Sequence, residues 1–586
     1  MAKYSLPEVD KVKPVAKRTA VLVASGDLRE SANVACWPAQ QELEAATGAA
    51  FRDLGWRLVR ADTCRPGAAH GFIASQAQGR DVFAGVHPDA PLVVAEAVWQ
   101  YSHHVLHGLE RHRGPILILA NWSGQWPGLV GALNLRGSLT KAGVEYSLLW
   151  GEDFAAKPFR KKLRRWLESG RIKHDTSQVQ RLDPRDLPKK ERKLGEALAA
   201  ELARRPAILG VFDEGCMGMF NAIIPDHLLH ACGAYKERLS QSALYYAMSR
   251  VSDAEADEAR RWLDSKGMKF QTGRDEATEL TDAQIRRQLK MYVAAARLAE
   301  EFGCDAIGIQ YQQGLKDLCP ASDLAEGLLN CSDRPPVAAS PGGAPIRPGR
   351  PITHFNEVDE CAGLDGLITE RVWRAMGLEG DNTLHDLRWG DWWEGELAKE
   401  GAKPQKGKGP EVHAAGRQYV WVFEISGAVP PSHFEGSYAG ATSERQPAMY
   451  FRLGGGTIKG VSKPGEVVWS RVFVDGSKGR GGGGALCMDI GRCRAISLPR
   501  EETERRWRST TSQWPIMHAV LYGIDRDQMM ARHQANHIQV VYAPDAETAD
   551  RALAAKAAMA AAMGMRVHLC GESADRRALG ERLRKL

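Results

Sequence analysis

Two carboxylates and one imidazole are the side chains of this sequence that could hold a metal ion together. Glu326 lies in the segment SDLAEGLLN, Asp359 lies in NEVDECAG, and His537 ends the late segment QANH. Each stands beside a probable strand end, where open α/β sheets bind their ligands. Carboxylate oxygens accept cations such as Mg²⁺, and an added imidazole favours Mn²⁺ or another transition metal. The three residues therefore predict a divalent-cation site with positions left open for substrate oxygens.

Each of these residues also has an ordinary structural interpretation. Glu326 could be a solvated residue of a helix, Asp359 could cap a helix N-terminus, and His537 could be a hydrogen-bonded histidine on a strand. The remaining motifs indicate no other chemistry, because no histidine or cysteine group has zinc spacing, and no GK[ST] phosphate loop or G-x-S-x-G elbow occurs. Spacing alone leaves both interpretations of the three residues open.

Composition indicates a globular chain of several domains without a nucleic-acid partner. The 586 residues suggest roughly three or four domains, and 44% hydrophobic with 26% charged residues is close to the globular average. Lys and Arg number 78 against 72 Asp and Glu, and much of this small excess lies in the run KPFRKKLRRW at 157–166. Phe159, Leu163 and Trp166 recur there at helical spacing, which predicts an amphipathic surface helix.

The cysteines and the start of the sequence favour a reduced compartment. Eleven cysteines are scattered without a repeated CxxC pattern, and the first residues contain no apolar segment typical of a secretion signal. No window approaches the roughly 18 consecutive apolar residues that a membrane-spanning helix needs. The sequence therefore predicts a cytoplasmic protein without a membrane partner.

Hydrophobic runs predict two α/β domains in the N-terminal part of the chain. The runs at 19–25, 90–98 and 115–122 are continuous and rich in aliphatic residues, as parallel strands covered on both faces are. They favour a doubly wound domain at 1–172. A second doubly wound domain carrying Glu326 is predicted at 173–352, ending in the Pro/Gly-rich stretch that begins at residue 332.

The C-terminal part, 353–586, changes character and carries Asp359 and His537. The segments YVWVFEISG, AMYFRLGGG and GEVVWSRVFVDG are short aromatic or alternating runs separated by Gly, which is typical of antiparallel strands. The segments HIQVVYAP and MRVHLCGE then flank an Ala-rich helix. The predicted fold class is thus a multidomain α/β protein whose mixed C-terminal domain contains an antiparallel β-barrel.

Three segments resemble the L-fucose isomerase family of aldose–ketose isomerases, which is related in plan to L-arabinose isomerase. The segment GCDAIGIQYQQGLKDLCPASDLAEGLLNCS is similar to the one bearing the family's metal-binding glutamate, NEVDECAG to the one bearing its aspartate, and RHQANHIQVVYAP to its late Asn-His segment. The resemblance implies that Glu326, Asp359 and His537 bind the metal, with Glu326 and Asp359 also catalytic.

Shorter matches to the family imply a set of substrate-binding residues. The arginine loop GDLRES, the tryptophan in EAVWQY and the methionine turn GCMGM occur in the N-terminal half, and ISG, GSY, QWP and the Asn-His segment occur in the C-terminal part. The residues that this resemblance places against the substrate are Arg29, Trp99, Met217, Gln310, Ser426, Tyr438, Trp514 and Asn536.

The resemblance implies an intramolecular oxidoreductase of carbohydrate metabolism that converts an L-fucose-like or D-arabinose-like aldose into its ketose through a cis-enediolate. It implies Mn²⁺, or another divalent cation such as Mg²⁺ or Co²⁺, and a homo-oligomer, with a hexamer expected, in which Arg29 reaches the site of a neighbouring subunit. Two other functions stay open on the same residues. One is a metal-dependent epimerase or lyase acting on a polyhydroxylated substrate, and the other is a non-catalytic sugar-binding protein of the same fold.

Overall fold

The structure is a computed structural model that describes residues 11–62, 67–340, 342–395, 418–477 and 483–571. Its first unit is a five-stranded parallel sheet in the order β2-β1-β3-β4-β5. The strands are β1 (Thr19–Val23), β2 (Arg57–Arg60), β3 (Leu92–Glu96), β4 (Ile116–Asn121) and β5 (Ser147–Gly151). The helices are α1 (Glu30–Asp53), α2 (Gln76–Ala84), α3 (Leu106–Leu109), α4 (Gly128–Ala142) and α5 (Lys157–Ser169).

The hydrophobic runs predicted as parallel strands form the centre of this first sheet. Every residue of β1 and β3 is buried, as is nearly all of β4, because helices cover both faces. The basic run forms α5, which buries only Phe159, Leu163 and Trp166 and leaves its basic residues outward. The prediction of an amphipathic helix there is confirmed.

A second parallel sheet follows in the order β11-β10-β7-β8. The strands of this stretch are β6 (Val179–Arg181), β7 (Ala207–Phe212), β8 (Ala234–Leu239), β9 (Lys269–Phe270), β10 (Ala306–Ile309) and β11 (Thr353–His354). The helices are α6 (Lys189–Arg204), α7 (Asp226–Ala231), α8 (Gln241–Arg250), α9 (Asp253–Ser265), α10 (Asp282–Glu301) and α11 (Asp323–Leu329).

The last stretch builds most of a mixed, eight-stranded sheet in the order β15-β18-β12-β13-β17-β16-β19-β6. Its strands are β12 (Asn382–Trp393), β13 (Gln418–Glu424), β14 (Thr442–Ser443), β15 (Gly465–Asp475), β16 (Ala485–Ile496), β17 (Ile516–Leu521), β18 (His537–Ala543) and β19 (Arg566–Cys570). The helices are α12 (Glu360–Ala375), α13 (Arg500–Arg508), α14 (Arg526–Arg532) and α15 (Ala546–Ala562). Strand β14 pairs with β9 outside this sheet.

Six strands of the mixed sheet form a closed series of antiparallel pairs. Strand β15 pairs with β18, and the series continues through β12, β13, β17 and β16. Strand β16 then pairs with β15 over the whole length of β15. Strands β19 and β6 extend the sheet from β16.

The structure confirms an α/β fold with two parallel sheets and a mixed sheet. The sheets do not change at the predicted boundaries, because β6 at Val179–Arg181 joins the mixed sheet and β11 at Thr353–His354 completes the second parallel sheet. The segment AMYFRLGGG forms no strand and is a loop, which corrects that prediction. No helix in the described ranges combines the length and apolar character needed to cross a membrane.

Helix α12 is almost entirely buried and fixes the position of the residues just before it. All its residues from Glu360 to Trp373 are buried. Its apolar side chains share one hydrophobic core with β7, β15 and α15. The chain that enters this helix is therefore held between the second parallel sheet and the mixed sheet.

Candidate active site

A cavity opens where the first unit, the second parallel sheet and the mixed sheet meet. Its polar wall consists of six residues: Arg29, Gln312, Glu357, Asp386, Ser426 and Asn536. The cavity thus combines two carboxylates, one guanidinium and three uncharged polar side chains.

His537 lies behind these two carboxylates and presents one ring nitrogen to them. Its Nε2 lies 3.7 Å from Glu357 Oε2 and 3.6 Å from Asp386 Oδ1. Asp386 and His537 are directly paired residues of β12 and β18, so the sheet register fixes their separation. The other nitrogen, Nδ1, lies 2.6 Å from Asp359 Oδ2. The imidazole therefore has one nitrogen held by a carboxylate and one directed at the cavity.

Glu357 reaches the cavity from a strained turn between β11 and α12. The turn spans Asn356–Val358, and Glu357 and Val358 have φ values of 57° and 56°. A left-handed conformation is costly for a branched residue such as Val358, and such strain is concentrated at functional sites. Gln312 Nε2 donates to Glu357 Oε1 at 3.2 Å and holds the carboxylate in place.

The imidazole of His537 and the three carboxyl groups around it all have shifted pKa values. Burial raises the pKa of Glu357 to about 7 and also raises that of Asp386, although His537 opposes both shifts. Burial would raise the pKa of Asp359, but Arg471 and His537 outweigh it and lower this pKa to about 2. Burial would lower the pKa of His537, but Asp359 and the two cavity carboxylates raise it.

The donor set of the cavity fits a divalent cation in chemistry, while its spacing is wider than that of a formed metal centre. In the part of the chain that the structure describes, no group of three or more His, Cys, Asp and Glu side chains is close enough to hold a metal ion. Glu357, Asp386 and His537 come near this arrangement. Neighbouring ligand atoms of one cation, each about 2.1 Å from it, lie about 3.0–3.4 Å apart at octahedral or tetrahedral angles, and the separations of 3.7 and 3.6 Å measured from Nε2 are wider. These residues therefore offer the donor types that suit a cation such as Mn²⁺.

Arg29 enters the cavity from the N-terminus of α1 with its charge already paired. Its Nε and Nη2 donate to the two oxygens of the fully buried Asp27 at 2.8 and 2.6 Å. Its Nη1 donates to the carbonyl oxygen of Tyr450 at 3.3 Å, and the guanidinium lies 4.9 Å from the centre of the Tyr450 ring. Such a bidentate pair fixes the plane of the guanidinium.

Aromatic and apolar side chains form the rest of the cavity wall. They are Trp99, Met217, Tyr450, Phe451 and Trp514, together with Pro127 and Val130. Trp99 Nε1, the Tyr450 hydroxyl and Asn536 Oδ1 are buried polar atoms without a hydrogen-bond partner among the described residues. Because leaving such groups unpaired is unfavourable, this wall is suited to a ligand with several hydroxyl groups.

Six of the eight predicted substrate-binding residues line this cavity: Arg29, Trp99, Met217, Ser426, Trp514 and Asn536. The structure does not place Gln310 or Tyr438 on the wall. Gln310 is fully buried just after β10, and Gln312, two residues later, lines the cavity instead. Tyr438 is a core residue that donates to the carbonyl oxygen of Asp333 at 2.6 Å. Neither position offers its side chain to a ligand in this cavity.

The structure does not bring the three predicted ligands together. Asp359 contacts His537, but Glu326 lies beyond Asn356, near enough to Glu357 for the two carboxylates to interact electrostatically and outside the cavity wall. Ser322 Oγ and Asn356 Nδ2 donate to the Glu326 carboxylate, and His354 Nδ1 lies 3.9 Å from it. Burial raises the pKa of Glu326 well above its ordinary value. The interpretation of Glu326 as a solvated helix residue is therefore wrong, and neither Glu326 nor Asp359 lines the cavity.

Asp359 is the N-cap of α12. Its Oδ1 accepts a hydrogen bond from the Ala362 backbone N–H at 2.9 Å. Its Oδ2 lies 2.6 Å from both Arg471 Nη1 and His537 Nδ1. The helix-cap interpretation is confirmed, and both carboxylate oxygens already have partners on the side of His537 that faces away from the cavity.

Sequence reasoning missed the two cavity carboxylates, Glu357 and Asp386. Glu357 stands two residues before Asp359 in NEVDECAG, and spacing alone could not rank the three acids of that segment. Asp386 is an acidic residue within the largely buried run NTLHDLRWGDWW of β12. An ionisable group inside a buried strand is the signal that could have identified it.

The cavity also corrects the expected place of Arg29. The resemblance assigns Arg29 to the site of a neighbouring subunit, but here it lines the cavity of its own chain, and Ser31 Oγ donates to the Met449 carbonyl oxygen at 2.7 Å nearby. One chain therefore supplies the carboxylates, the imidazole and the guanidinium of this cavity.

Comparison with known proteins gives no information on the function of this cavity. No protein-family model matches the chain, and no curated protein is significantly similar to it. The resemblance to the L-fucose isomerase family thus stays a prediction. Any function for the cavity must be argued from the chemistry of its residues.

Glu424, paired with Asp386 across β12 and β13, gives a first prediction. The carboxyl is fully buried and accepts a hydrogen bond from Thr510 Oγ1 at 3.0 Å. Burial raises its pKa to about 7, although Arg388 opposes the shift. Between pH of about 4.3 and 7 the unfolded chain has lost a proton that the folded chain keeps, so the stability contributed by this group falls as pH rises.

We expect the metal-free Glu424→Gln variant to lose this pH dependence. Relative to the variant, the wild-type protein should become less stable by up to roughly 3 kcal/mol between pH 5 and pH 8. Urea unfolding in chelator, at both pH values, measures the difference in the free energy of unfolding. Parallel pH profiles for the two proteins would show that Glu424 is ionised in the folded state.

Proposed function

We propose that the chain is a metal-dependent aldose–ketose isomerase acting on an L-fucose-like or D-arabinose-like sugar through a cis-enediolate. The observation that supports this most is the meeting of Glu357, Asp386 and Nε2 of His537 at one cavity, with separations of 3.6 and 3.7 Å from the imidazole. This set replaces the earlier assignment of Glu326 and Asp359, because those two carboxylates are engaged outside the cavity.

Glu357, Asp386 and His537 would hold the divalent cation. When bound, Mn²⁺ or a related cation such as Mg²⁺ or Co²⁺ supplies Lewis-acid polarisation of the substrate carbonyl. The protein contributes a donor set of two carboxylates and one imidazole, which favours Mn²⁺ over Ca²⁺. The fixed register of β12 and β18 keeps two of these donors in place without substrate.

The two cavity carboxylates are the groups that can move a proton between C2 and C1 of an open-chain aldose. Each is oriented by an amide, Gln312 for Glu357 and Asn536 for Asp386, at 3.2 and 3.3 Å. Isomerisation needs a base to remove the C2 proton and an acid to return a proton to C1, so one carboxylate that changes its protonation state serves both steps. The aromatic wall excludes water during these steps.

The remaining wall recognises a neutral, hydroxyl-rich substrate. Arg29 is already neutralised by Asp27, so it offers directional hydrogen bonds rather than an unpaired charge for a phosphate. The unpartnered atoms of Trp99, Tyr450 and Asn536 supply two donors and an acceptor for hydroxyl groups.

The architecture around the cavity extends the same proposal. The closed series of six antiparallel pairs supports the antiparallel β-barrel that the sequence predicts for the C-terminal domain. Two of its strands, β12 and β18, supply Asp386 and His537. A homo-oligomer, with a hexamer expected, stays a prediction from the family resemblance. Light scattering of the active protein measures its oligomeric state.

Proton exchange followed by NMR tests the proposed reaction. The protein is stripped with chelator, reloaded with Mn²⁺, exchanged into Mg²⁺ for recording, and incubated in D₂O with L-fucose, D-arabinose and a panel of other aldoses and ketoses. We expect metal-dependent deuterium uptake at the carbon beside the carbonyl, with the ketose appearing. Exchange without ketose would instead indicate an epimerase or lyase. No exchange and no retained metal would favour a sugar-binding protein.

A further inference from the structure

The cavity encloses little free space in this structure. The centres of water molecules can occupy about 40 Å³ of it, whereas one water needs about 10–15 Å³ by the same measure. The cavity therefore has room for about three waters, which together have fewer heavy atoms than any pentose. A sugar can bind there only after part of the wall has moved.

The loop at 446–455 is a part of the wall that separates the cavity from solvent. It contains neither helix nor strand. Tyr450 and Phe451 line the cavity and are 5% and 2% exposed, while Ala448 and Arg452 of the same loop are exposed. One side of the loop thus faces the cavity and the other faces solvent. Displacement of this loop would open the cavity directly.

The stem of the loop is fixed on the second α/β unit. Arg445 and Gly456 form an isolated antiparallel bridge, so the two ends of the loop lie side by side. Gln288 of α10 bonds both the N–H and the carbonyl oxygen of Gly456, at 2.7 and 3.0 Å. Next to this stem, Gly454 and Gly455 have φ values of 65° and 101°. Such backbone angles are easily reached by glycine, which suits these two positions to a hinge.

The far side of the loop meets the N-terminus of α1 at the molecular surface, along a contact that we call the seam. Ser31 Oγ donates to the Met449 carbonyl oxygen at 2.7 Å, and Arg29 Nη1 donates to the Tyr450 carbonyl oxygen at 3.3 Å. Ser31 is exposed, and Leu28 beside it is 44% exposed. Since Arg29 lines the cavity directly below, the seam is a short route from solvent to the cavity.

We infer that residues 446–455 form a lid that opens at the seam to admit the substrate, with Ser31 as its latch. This inference rests on the proposed function, in that the cavity must take up a sugar. The stem is held by paired backbone and by two short bonds to Gln288, whereas the seam depends on an exposed serine and on a long bond from Arg29. The seam is therefore the weaker side, and enzyme loops commonly open in this way.

A cysteine placed in the cavity reports opening of the lid. Ser426 lines the cavity and is 5% exposed, so the thiol of Ser426→Cys reacts with a water-soluble methanethiosulfonate reagent when solvent reaches the cavity. Mass spectrometry of the peptide that carries the residue measures the rate. Adding Ser31→Ala should raise this rate by about 2- to 10-fold, the effect of one hydrogen bond on an opening equilibrium. Val130→Cys, also on the cavity wall, is a second reporter and should respond by the same factor. Unchanged rates at both reporters would overturn the inference.

Ser265 provides a matched control for the latch. It is also an exposed serine, and its hydroxyl donates to the Trp262 carbonyl oxygen at 2.7 Å, a contact that involves neither the lid nor the cavity wall. Adding Ser265→Ala to the reporter variants should leave the labelling rates within about twofold of their starting values. An equal acceleration by Ser31→Ala and Ser265→Ala would assign the effect to general loosening and overturn the inference.

A covalent lock tests whether opening of the seam is needed for turnover. The pair Ser31→Cys and Met449→Cys is joined by a short bifunctional thiol reagent that reduction can cleave. We expect turnover of the best sugar of the panel to fall by at least about 10-fold and to return on reduction, because a closed lid blocks entry and release. Full turnover in the joined protein would overturn the inference. If the unlocked protein converts no sugar, the proposed function fails, but the labelling rates need neither sugar nor metal and still decide whether the lid opens at the seam.

Discussion

Replacement of Glu357 by glutamine is expected to lower metal-dependent isomerisation by at least about 100-fold, the lower range for loss of a general acid–base group. Glutamine keeps the size of the side chain and can still contact Gln312, but it cannot accept a proton from substrate. The turnover of L-fucose or the best aldose of the panel, measured by ketose formation at saturating Mn²⁺, gives the size of the loss.

Two further glutamine variants make this result specific. Glu360, three residues later, is fully buried and has a pKa raised to about 7 by burial, but it pairs with Lys236 at 2.8 Å and does not line the cavity. Glu360→Gln should therefore keep turnover within a few-fold of the wild type.

Glu326→Gln decides between the two assignments of the catalytic glutamate. Near-normal turnover supports Glu357, whereas a loss of about 100-fold in Glu326→Gln alone would return the role to Glu326.

Replacement of His537 by glutamine is expected to remove the metal from the cavity. His537 is the imidazole donor of the proposed set, and changes that only disturb the partner of such a histidine already cost about 10- to 100-fold in metal affinity. The variant should therefore bind Mn²⁺ at least about 100-fold more weakly in calorimetry. Glutamine can still donate to Asp359, so the buried carboxylate keeps a partner.

His518→Gln is the matched control for this experiment. His518 is buried in β17 of the same sheet, burial lowers its pKa to about 3, and it does not line the cavity. Its replacement should leave the Mn²⁺ affinity unchanged while testing the tolerance of the sheet to a buried glutamine. Full retention of Mn²⁺ by His537→Gln would remove the imidazole from the metal site.

The parallel strands could be predicted because strands buried on both faces appear in the sequence as continuous apolar runs. Strands β1, β3 and β4 are covered on both faces, so their residues form uninterrupted apolar runs. The segment AMYFRLGGG misled the same reasoning. Its aromatic residues are typical of a strand, but Tyr450 and Phe451 lie in a loop and line the cavity. Arg29 also contacts this loop. Hydrophobic residues indicate that a segment is buried, but they do not show whether it is buried in a sheet or packed around a cavity.

The site was predicted less well than the fold, because its geometry depends on register and backbone conformation. His537 and six of the residues that line the cavity were identified, but sequence reasoning predicted no strand at 382–393 and so missed Asp386. The choice between Glu357 and Asp359 depends on a left-handed turn that points the first into the cavity and leaves the second to cap α12. Neither property is visible as spacing.

Anomalous X-ray diffraction from crystals soaked in Mn²⁺ tests the central claim most directly, because it locates the cation without relying on activity. We predict one strong manganese peak in the cavity, within bonding distance of His537 Nε2 and of carboxylate oxygens of Glu357 and Asp386. A peak coordinated by Glu326 and Asp359, or a protein that remains free of manganese at millimolar concentration, would contradict the account.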